Sequence, residues 1–426
     1  MELEIVARFL SEIVRFLSCS ALWCAVVQMA NASFGITQTA YVIRPTPIFT
    51  DPLRYVAARD EETLVITTNW GRQVAVPSSR DFAVYREIAK VGSTGMDEPV
   101  RVRIPVTPRS TWTVDPLSEG FFVTGTGWWY ATLDDRDDAA ATTFVKSDGS
   151  RVTYVRPPPP GYTDDTTDTT HSNSWQTIVI PGEKPRALEL TYRVEETIAR
   201  EVDWSGASRS WRLPLVSYER VSRMVAQPLP DGRIALLSNH NGLSLYLLAD
   251  EGHVDAVTLR NLRIQQFDAA IDGAGRIAIV AARNDTGTID AAIIDPAHPD
   301  HAEWAALRHD VRVTGQFGGV HVVTTPDGFA AAWINELDGR LIEATDVDRR
   351  GHGGPVVEVG RASSRGPAAF LGVQAKQDEL LFWWDDGEHL FQRRLPVSLK
   401  GYAILNDLAQ RFCGKAEAHP EERPHQ

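Results

Sequence analysis

Short apolar runs broken by glycine and aspartate recur along the second half of the chain. "RIALLS" (Arg233–Ser238), "RIAIVAA" (Arg276–Ala282) and "FAAAWI" (Phe329–Ile334) are brief, apolar on consecutive positions and partly β-branched. Strands covered on both faces have this composition, whereas a half-exposed strand would alternate strictly. Each run sits in a longer unit: Leu229 to Asp250, Asp272 to Asp295 and Thr325 to Asp348. The units align on Gly232, Gly275 and Gly328, with Ala235, Ala278 and Ala331 three positions on, a second glycine at Gly242, Gly287 and Gly339, and a closing acid at Asp250, Asp295 and Asp346. Glycine and aspartate supply turn conformations at low cost, so each unit predicts a strand, a turn and a second strand.

The aligned glycines are 43 and then 53 residues apart, and "ELLFWWDDGEHLFQRRL" around Gly387 gives a fourth, weaker hairpin. Earlier in the chain, Glu62–Val76, Gly120–Asp135 and Trp175–Val194 also alternate as strand, turn and strand. No long amphipathic helix interrupts them. Units of about 40 to 50 residues, each with about four strands, predict an all-β fold of the β-propeller type with about seven four-stranded blades, within a range of six to eight.

The pattern over Ser33–Leu399 resembles the β-propeller superfold without matching one family in it. A WD-like Gly351-His352 and Trp384-Asp385 pair occurs once, and "SDGSRVTY" (Ser147–Tyr154) is only distantly similar to a sialidase-type Asp-box hairpin. A fold reused this widely implies little about activity.

Three segments fall outside the pattern. Arg8 and Arg15 precede the apolar stretch Phe16–Ala30, and "ANAS" (Ala30–Ser33) offers a cleavage site after Ala32, so residues 1–32 read as an export signal, although Glu2, Glu4 and Glu12 fit such a signal poorly. "RPPPPGYTDDTTDTTHSNS" (Arg156–Ser174) reads as a solvated Pro/Thr/Asp-rich loop between blades. Residues 401–426 read as a short helix (Gly401–Phe412) followed by a polar tail. The propeller itself is expected over 33–400.

Composition narrows the partners. The chain of 426 residues is 43% hydrophobic and 23% charged, with a net charge of −13 spread along its length. Without a basic stripe, a nucleic-acid backbone or an anionic membrane surface would repel it. Lysine is scarce while arginine and alanine abound, which favours a bacterial source. Loss of Cys19 and Cys24 with the signal would leave Cys413 alone, so no intramolecular disulfide is expected in the exported chain.

Candidate chemistry is sparse. Asp134, Asp135, Asp137 and Asp138 follow the aromatic strand of Trp128, Trp129 and Tyr130. Carboxylates beside exposed rings could bind a sugar or a calcium ion, yet no calcium-loop spacing is present, so a solvated turn with one tryptophan in the core is the plainer alternative. His298 and His301 share their segment with Pro296 and Pro299, which makes it a surface loop rather than a metal knuckle. Trp383 and Trp384 fit core packing. No nucleophile elbow, phosphate-binding loop, zinc-protease helix or dinucleotide fingerprint occurs. The sequence therefore predicts an exported, non-enzymatic recognition module for a protein or a carbohydrate, with no cofactor and no metal. The alternatives are a secreted glycan hydrolase or lyase, which needs two facing carboxylates, and a structural part of a cell-envelope assembly.

Overall fold

In this computed structural model the strands between Thr37 and Val155 are described one by one, followed by residues 175–192, 197–206, 209–214, 224–239, 242–260, 264, 266–313, 319–338, 340–361, 371–376, 378–385, 389–404 and 407. The segments expected to form an export signal, a Pro/Thr/Asp-rich loop and a polar tail lie outside these residues.

The strands form seven antiparallel four-stranded sheets. Strand β1 (Thr37–Val42) comes first. Blade I holds β2 (Leu53–Ala58), β3 (Thr63–Thr68), β4 (Gln73–Pro77) and β7 (Thr113–Val114), with a separate hairpin, β5 (Arg86–Lys90) and β6 (Glu98–Val102), inserted before its last strand. Blade II is β8 (Ser118–Thr124), β9 (Gly127–Arg136), β10 (Ala139–Lys146) and β11 (Arg151–Val155). Blade III is β12 (Trp175–Val179), β13 (Arg186–Tyr192), β14 (Thr197–Asp203) and β15 (Ser210–Leu213). Blade IV is β16 (Met224–Pro228), β17 (Ile234–Asn239), β18 (Leu243–Leu248) and β19 (Val254–Arg260). Blade V is β20 (Gln266–Ile271), β21 (Ile277–Arg283), β22 (Thr288–Ile294) and β23 (Glu303–His309). Blade VI is β24 (Val320–Thr325), β25 (Gly328–Asn335), β26 (Leu341–Val347) and β27 (Val357–Arg361). Blade VII is β28 (Leu371–Lys376), β29 (Glu379–Asp385) and β30 (His389–Pro396).

The first strands of successive blades touch in order, β2 to β8, β12, β16, β20, β24 and β28, and β28 returns to β2. This closed ring of innermost strands makes the molecule a seven-bladed β-propeller. The N-terminal strand shuts it: β1 pairs with β30 from Thr37↔Arg394 to Val42↔His389 and becomes the outermost strand of blade VII.

The repeated units occupy the middle of their blades. In blades IV, V and VI the second strands are buried along nearly their whole length, as the unbroken apolar runs require. One side of a strand faces the preceding blade and the other faces the next. Leu236 packs toward blade III while Leu237 packs toward blade V. Buried alanines such as Ala278, Ala282 and Ala331 let neighbouring sheets approach closely between blades V and VI.

Each face of the disc has its own turn chemistry. Turns between first and second strands, and between third and fourth, emerge on what is here called the turn face. Aspartates fold them: Asp231 accepts the Arg233 N–H at 3.0 Å, Asp272 accepts those of Ala274 and Arg276, and Asp295 accepts that of Ala297 at 2.9 Å. In the third unit Asp348 takes this role, accepting the N–H groups of Arg350 and His352, and the aligned Asp346 instead lies within β26.

The opposite, crossover face carries the remaining turns and the blade-to-blade connections, and there asparagine does the work. Asn239, Asn284 and Asn335 stand at or just past the ends of the second strands in blades IV, V and VI. Their side-chain amides donate to the carbonyls of Ile264 and Val313 in the connections to the next blade and, for Asn335, to that of Asp310 in the connection from the blade before. A bulge also recurs: Leu259, Leu307 and Val359 are the extra residues opposite β18, β22 and β26. Next to two of these bulges an arginine reaches into the following blade. Arg260 meets the buried Asp290 at 2.7 Å, and Arg308 meets the buried Glu343 at 2.9 Å.

Residues 399–404 are helical. Asp346 accepts the N–H groups of Leu399 and Lys400 and so caps this turn onto the turn face, where Leu399 and Tyr402 are buried. No helix among the described residues is long and apolar enough to cross a membrane.

Candidate functional site

A cleft of about 640 Å³ opens on the turn face between blades III and IV. Its first wall is the connection from β12 to β13, where Pro181 and Pro185 bracket Gly182, Glu183 and Lys184. Proline restricts the backbone at both ends, and Gly182 adopts φ +148°, which few other residues tolerate. The loop is also tied from outside. Ile180 N–H donates to the Arg186 carbonyl at 3.0 Å, and the Trp129 indole N–H of blade II donates to the Gly182 carbonyl at 2.8 Å.

The floor is a buried acid held by two arginines. Glu201, on β14, is 6% exposed and occupies a strand position whose close neighbours Ala199 and Val202 are fully buried. Its Oε1 accepts from Arg186 at 3.1 Å and its Oε2 from Arg209 at 2.6 Å. Arg209 continues across the gap to the Asp250 carboxylate and the Gly232 carbonyl of blade IV. Burial by itself would lower the Arg209 pKa, but hydrogen bonds to Glu201 and Asp250 outweigh it and hold the guanidinium in its charged form. An acid left in this position without partners would be expensive to bury, so the arginines are fixed by the same interaction that makes Glu201 tolerable.

The second wall is the turn after β14. Asp203 Oδ1 accepts both the N–H of Ser205 at 2.8 Å and its hydroxyl at 2.6 Å. The Trp204 carbonyl accepts the Tyr154 hydroxyl at 2.8 Å, and the Lys146 ammonium sits 3.8 Å from the centre of the Trp204 ring. Blade III thus leans on blade II through Trp204 and on blade IV through Arg209.

This arrangement presents fixed charge without an acid or base free to move a proton at its floor, because a guanidinium occupies each oxygen of Glu201. The lining consists of proline, glycine and charged side chains with no aromatic ring, so it offers no stacking surface for a sugar.

The residues singled out from the sequence fall elsewhere. Trp128, Trp129, Asp134 and Asp135 all belong to β9. Trp129 is 1% exposed, packs edge-on against Phe144 at 6.1 Å and contributes only its N–H to the cleft loop. Trp129 and Asp135 stand six positions apart on an extended strand, a separation of about 20 Å, so positions 128–129 fall at the turn-face end of β9 and positions 134–135 toward its crossover-face end. Asp137 and Asp138 lie outside the described residues. His298 and His301 are exposed on a short 3-10 turn with their rings stacked 5.8 Å apart. No group of three potential metal ligands forms among the described residues. Trp383 and Trp384 are buried.

Glu201, Arg186 and Arg209 escape the sequence reading because each sits in an ordinary polar stretch of a strand or its margin. The usable signal is an acid at a strand position flanked by apolar residues, as in "TIAREVDW" (Thr197–Trp204).

Searches against protein-family models and against curated proteins find no match. Among solved structures, the chain is similar to YCF48 bound to D1 peptide, at 12% identity over 84% of this chain and 96% of that one, with a TM-score of 0.45. It is similar to the WD40 domain of SCAP from fission yeast at 7% identity over 85% and 88% of the two chains, with a TM-score of 0.41. TolB from Acinetobacter baumannii gives 13% identity over 62% of this chain and a TM-score of 0.35, and the match spans 63% of the TolB chain. Similarities at these identities concern the propeller fold and not an activity.

Proposed function

We propose that this protein is an exported, non-enzymatic interaction module that receives an extended segment of a partner protein in the cleft between blades III and IV. The observation that carries this reading is the Arg186–Glu201–Arg209 group. It fixes two guanidinium forks at the floor of an open cleft before any ligand arrives, and preorganised polar groups reduce the ordering cost of binding. Lys184 is exposed on the rim and adds an adaptable charge. The absence of an aromatic ring from the lining favours a peptide over a glycan, and the double occupancy of Glu201 argues against its service as a hydrolytic acid or base.

The test is an array of peptides and an array of glycans, each probed with the chain from Ser33 onward, with the glycans then analysed by mass for cleavage. Peptide binding that weakens about tenfold in Lys184→Glu, at unchanged thermal stability, is the expected result. Glycan turnover would instead establish the hydrolase or lyase alternative, and peptide binding indifferent to Lys184→Glu and Glu183→Arg would remove the cleft from the reading. Export is checked separately by the N-terminal mass of the secreted protein, for which Ser33 is expected.

A further inference from the structure

Both blade III walls of the cleft are held from blade II, which does not line it. Among the described residues, the lining runs from Pro181 to Arg209 in blade III, with Pro228 from blade IV, and none of it belongs to blade II. Blade II nevertheless makes a hydrogen bond to each wall. The Trp129 indole N–H donates to the Gly182 carbonyl at 2.8 Å in the first wall, and the Tyr154 hydroxyl donates to the Trp204 carbonyl at 2.8 Å in the second. The walls also meet each other, where the Trp204 N–H donates to the Pro185 carbonyl at 3.2 Å.

The two donors are the polar ends of one aromatic row. Trp129, Phe144 and Tyr154 stand on β9, β10 and β11, and Phe144 meets Trp129 edge-on at 6.1 Å and Tyr154 edge-on at 6.4 Å. Phe144 is fully buried, and the row packs with Val179, Ala187 and Val202 of blade III. Val179 and Ala187 flank the first wall in sequence and Val202 leads into the second, so the row sits at the root of both. The Tyr154 ring also lies against Gly206, where a Cβ would come within 2.8 Å of Cε1. Partial burial and the Asp203 carboxylate push the Tyr154 pKa above its ordinary value, so the hydroxyl keeps the proton it donates. A ring locked in a dense core has little freedom to shift, and neither has the carbonyl bonded to it.

We propose that Trp129 and Tyr154 are positioning residues for the cleft: they hold its two walls in place for the ligand, and blade II thereby sets the affinity of a site it does not line. The proposal rests on the reading of the cleft as a peptide site. Each ring acts through the carbonyl it fixes, without touching the ligand. A wall released from its ring has to be ordered when the peptide binds, which weakens binding.

The test uses the full chain and the peptide that binds most strongly on the array. Tyr154→Phe removes only the hydroxyl and keeps the ring in its row. Expected are amide hydrogen exchange about fivefold faster at Trp204, Ser205 and Gly206 and peptide affinity about fivefold lower, the size of one net hydrogen bond, with exchange in blade V unchanged. Trp129→Phe should do the same for the first wall, where the Ile180 amide closes the loop. Because Trp129→Phe also leaves a void, its effect on binding is read against Asn284→Ala, a blade V variant that lowers stability away from both walls and should leave affinity unchanged. In the wild-type protein the Trp129 indole N–H resonance, on a residue 1% exposed, should shift and saturate as the peptide is added. Unchanged exchange at the walls, wild-type affinity in both Phe variants, or a loss that Asn284→Ala reproduces would overturn the proposal and leave the peptide site standing. A wild-type protein that binds no peptide, or binds one indifferently to Lys184→Glu, would remove the peptide site and this proposal with it.

Discussion

Asn284 and Val313 pair as if both were backbone. The Asn284 amide donates to the Val313 carbonyl at 2.9 Å, and its oxygen accepts the Val313 N–H at 3.2 Å. One side chain thereby extends the sheet of blade V by a rung and pins the connection leading to blade VI. Asn284→Ala is expected to destabilise the protein by about 1 kcal/mol, since the site is exposed and water replaces part of the loss. Asn239→Ala, at a residue 7% exposed, should cost more, about 1–3 kcal/mol. Urea denaturation of both variants checks the order, and a larger effect at Asn284 would show that the clamp is misread.

The bulged edge of blade VI leaves no room at Gly360. A Cβ there would lie 2.4 Å from Trp384 Cζ2, on a ring that is 2% exposed and cannot withdraw. Gly360→Ala is expected to cost about 1–3 kcal/mol, measured as a drop in thermal midpoint. Gly273→Ala, where a Cβ meets nothing within 4 Å, should change little.

Blades V and VI are joined by an ion pair that is buried on one side only. Glu343 is 4% exposed and receives Arg308, the Trp333 indole N–H at 2.8 Å and the Asn335 amide at 3.3 Å, whereas Arg308 remains 41% exposed. Arg308→Leu leaves the acid buried without its cation. The expected loss is about 2–3 kcal/mol, below the range for a fully buried pair because of the arginine's exposure. Adding Glu343→Gln to Arg308→Leu should recover part of it, and a double variant no better than the single one would contradict this account.

Stability should fall on acidification through the turn-face aspartates. The hydrogen bond from the Arg233 side chain holds the Asp231 carboxyl below its ordinary pKa. For Asp272, burial pushes upward, but hydrogen bonds from the Arg276 side chain and from the N–H groups of Arg276 and Ala274 prevail. A carboxyl depressed in the folded state stabilises the fold above its unfolded pKa of about 4, and that contribution disappears as pH falls through the lower folded value. Asp346 runs the other way: burial raises its pKa, so its unfavourable ionised form is relieved as the pH drops below that raised value. Denaturation midpoints should therefore decline below about pH 4, less steeply in Asp272→Asn and more steeply in Asp346→Asn.

Much of the ring was legible in the sequence because a propeller repeats one local problem. Each repeated hairpin must bury both faces of a short strand and then turn, so apolar runs punctuated by glycine and aspartate recur at blade spacing, and Gly232, Gly275 and Gly287 do adopt positive φ. Those local requirements determined the strand–turn–strand units, the blade size and the burial of Trp383 and Trp384. Only the tertiary structure decided the rest, because it depends on which distant segments meet. That β1 closes blade VII rather than opening blade I is a pairing across nearly the whole chain, between Thr37 and Arg394. The tryptophan and aspartate positions of β9 are close in sequence but fall at different ends of a blade, since an extended strand separates what sequence proximity suggests is joined. Conversely, Arg186, Glu201, Arg209 and Asp250 are spread over the chain and converge because two neighbouring blades present their turns on the same face. A buried acid can exist there only with those partners: Arg186 and Arg209 meet Glu201 once the sheet of blade III has formed, and Asp250 joins them only when blade IV packs beside it.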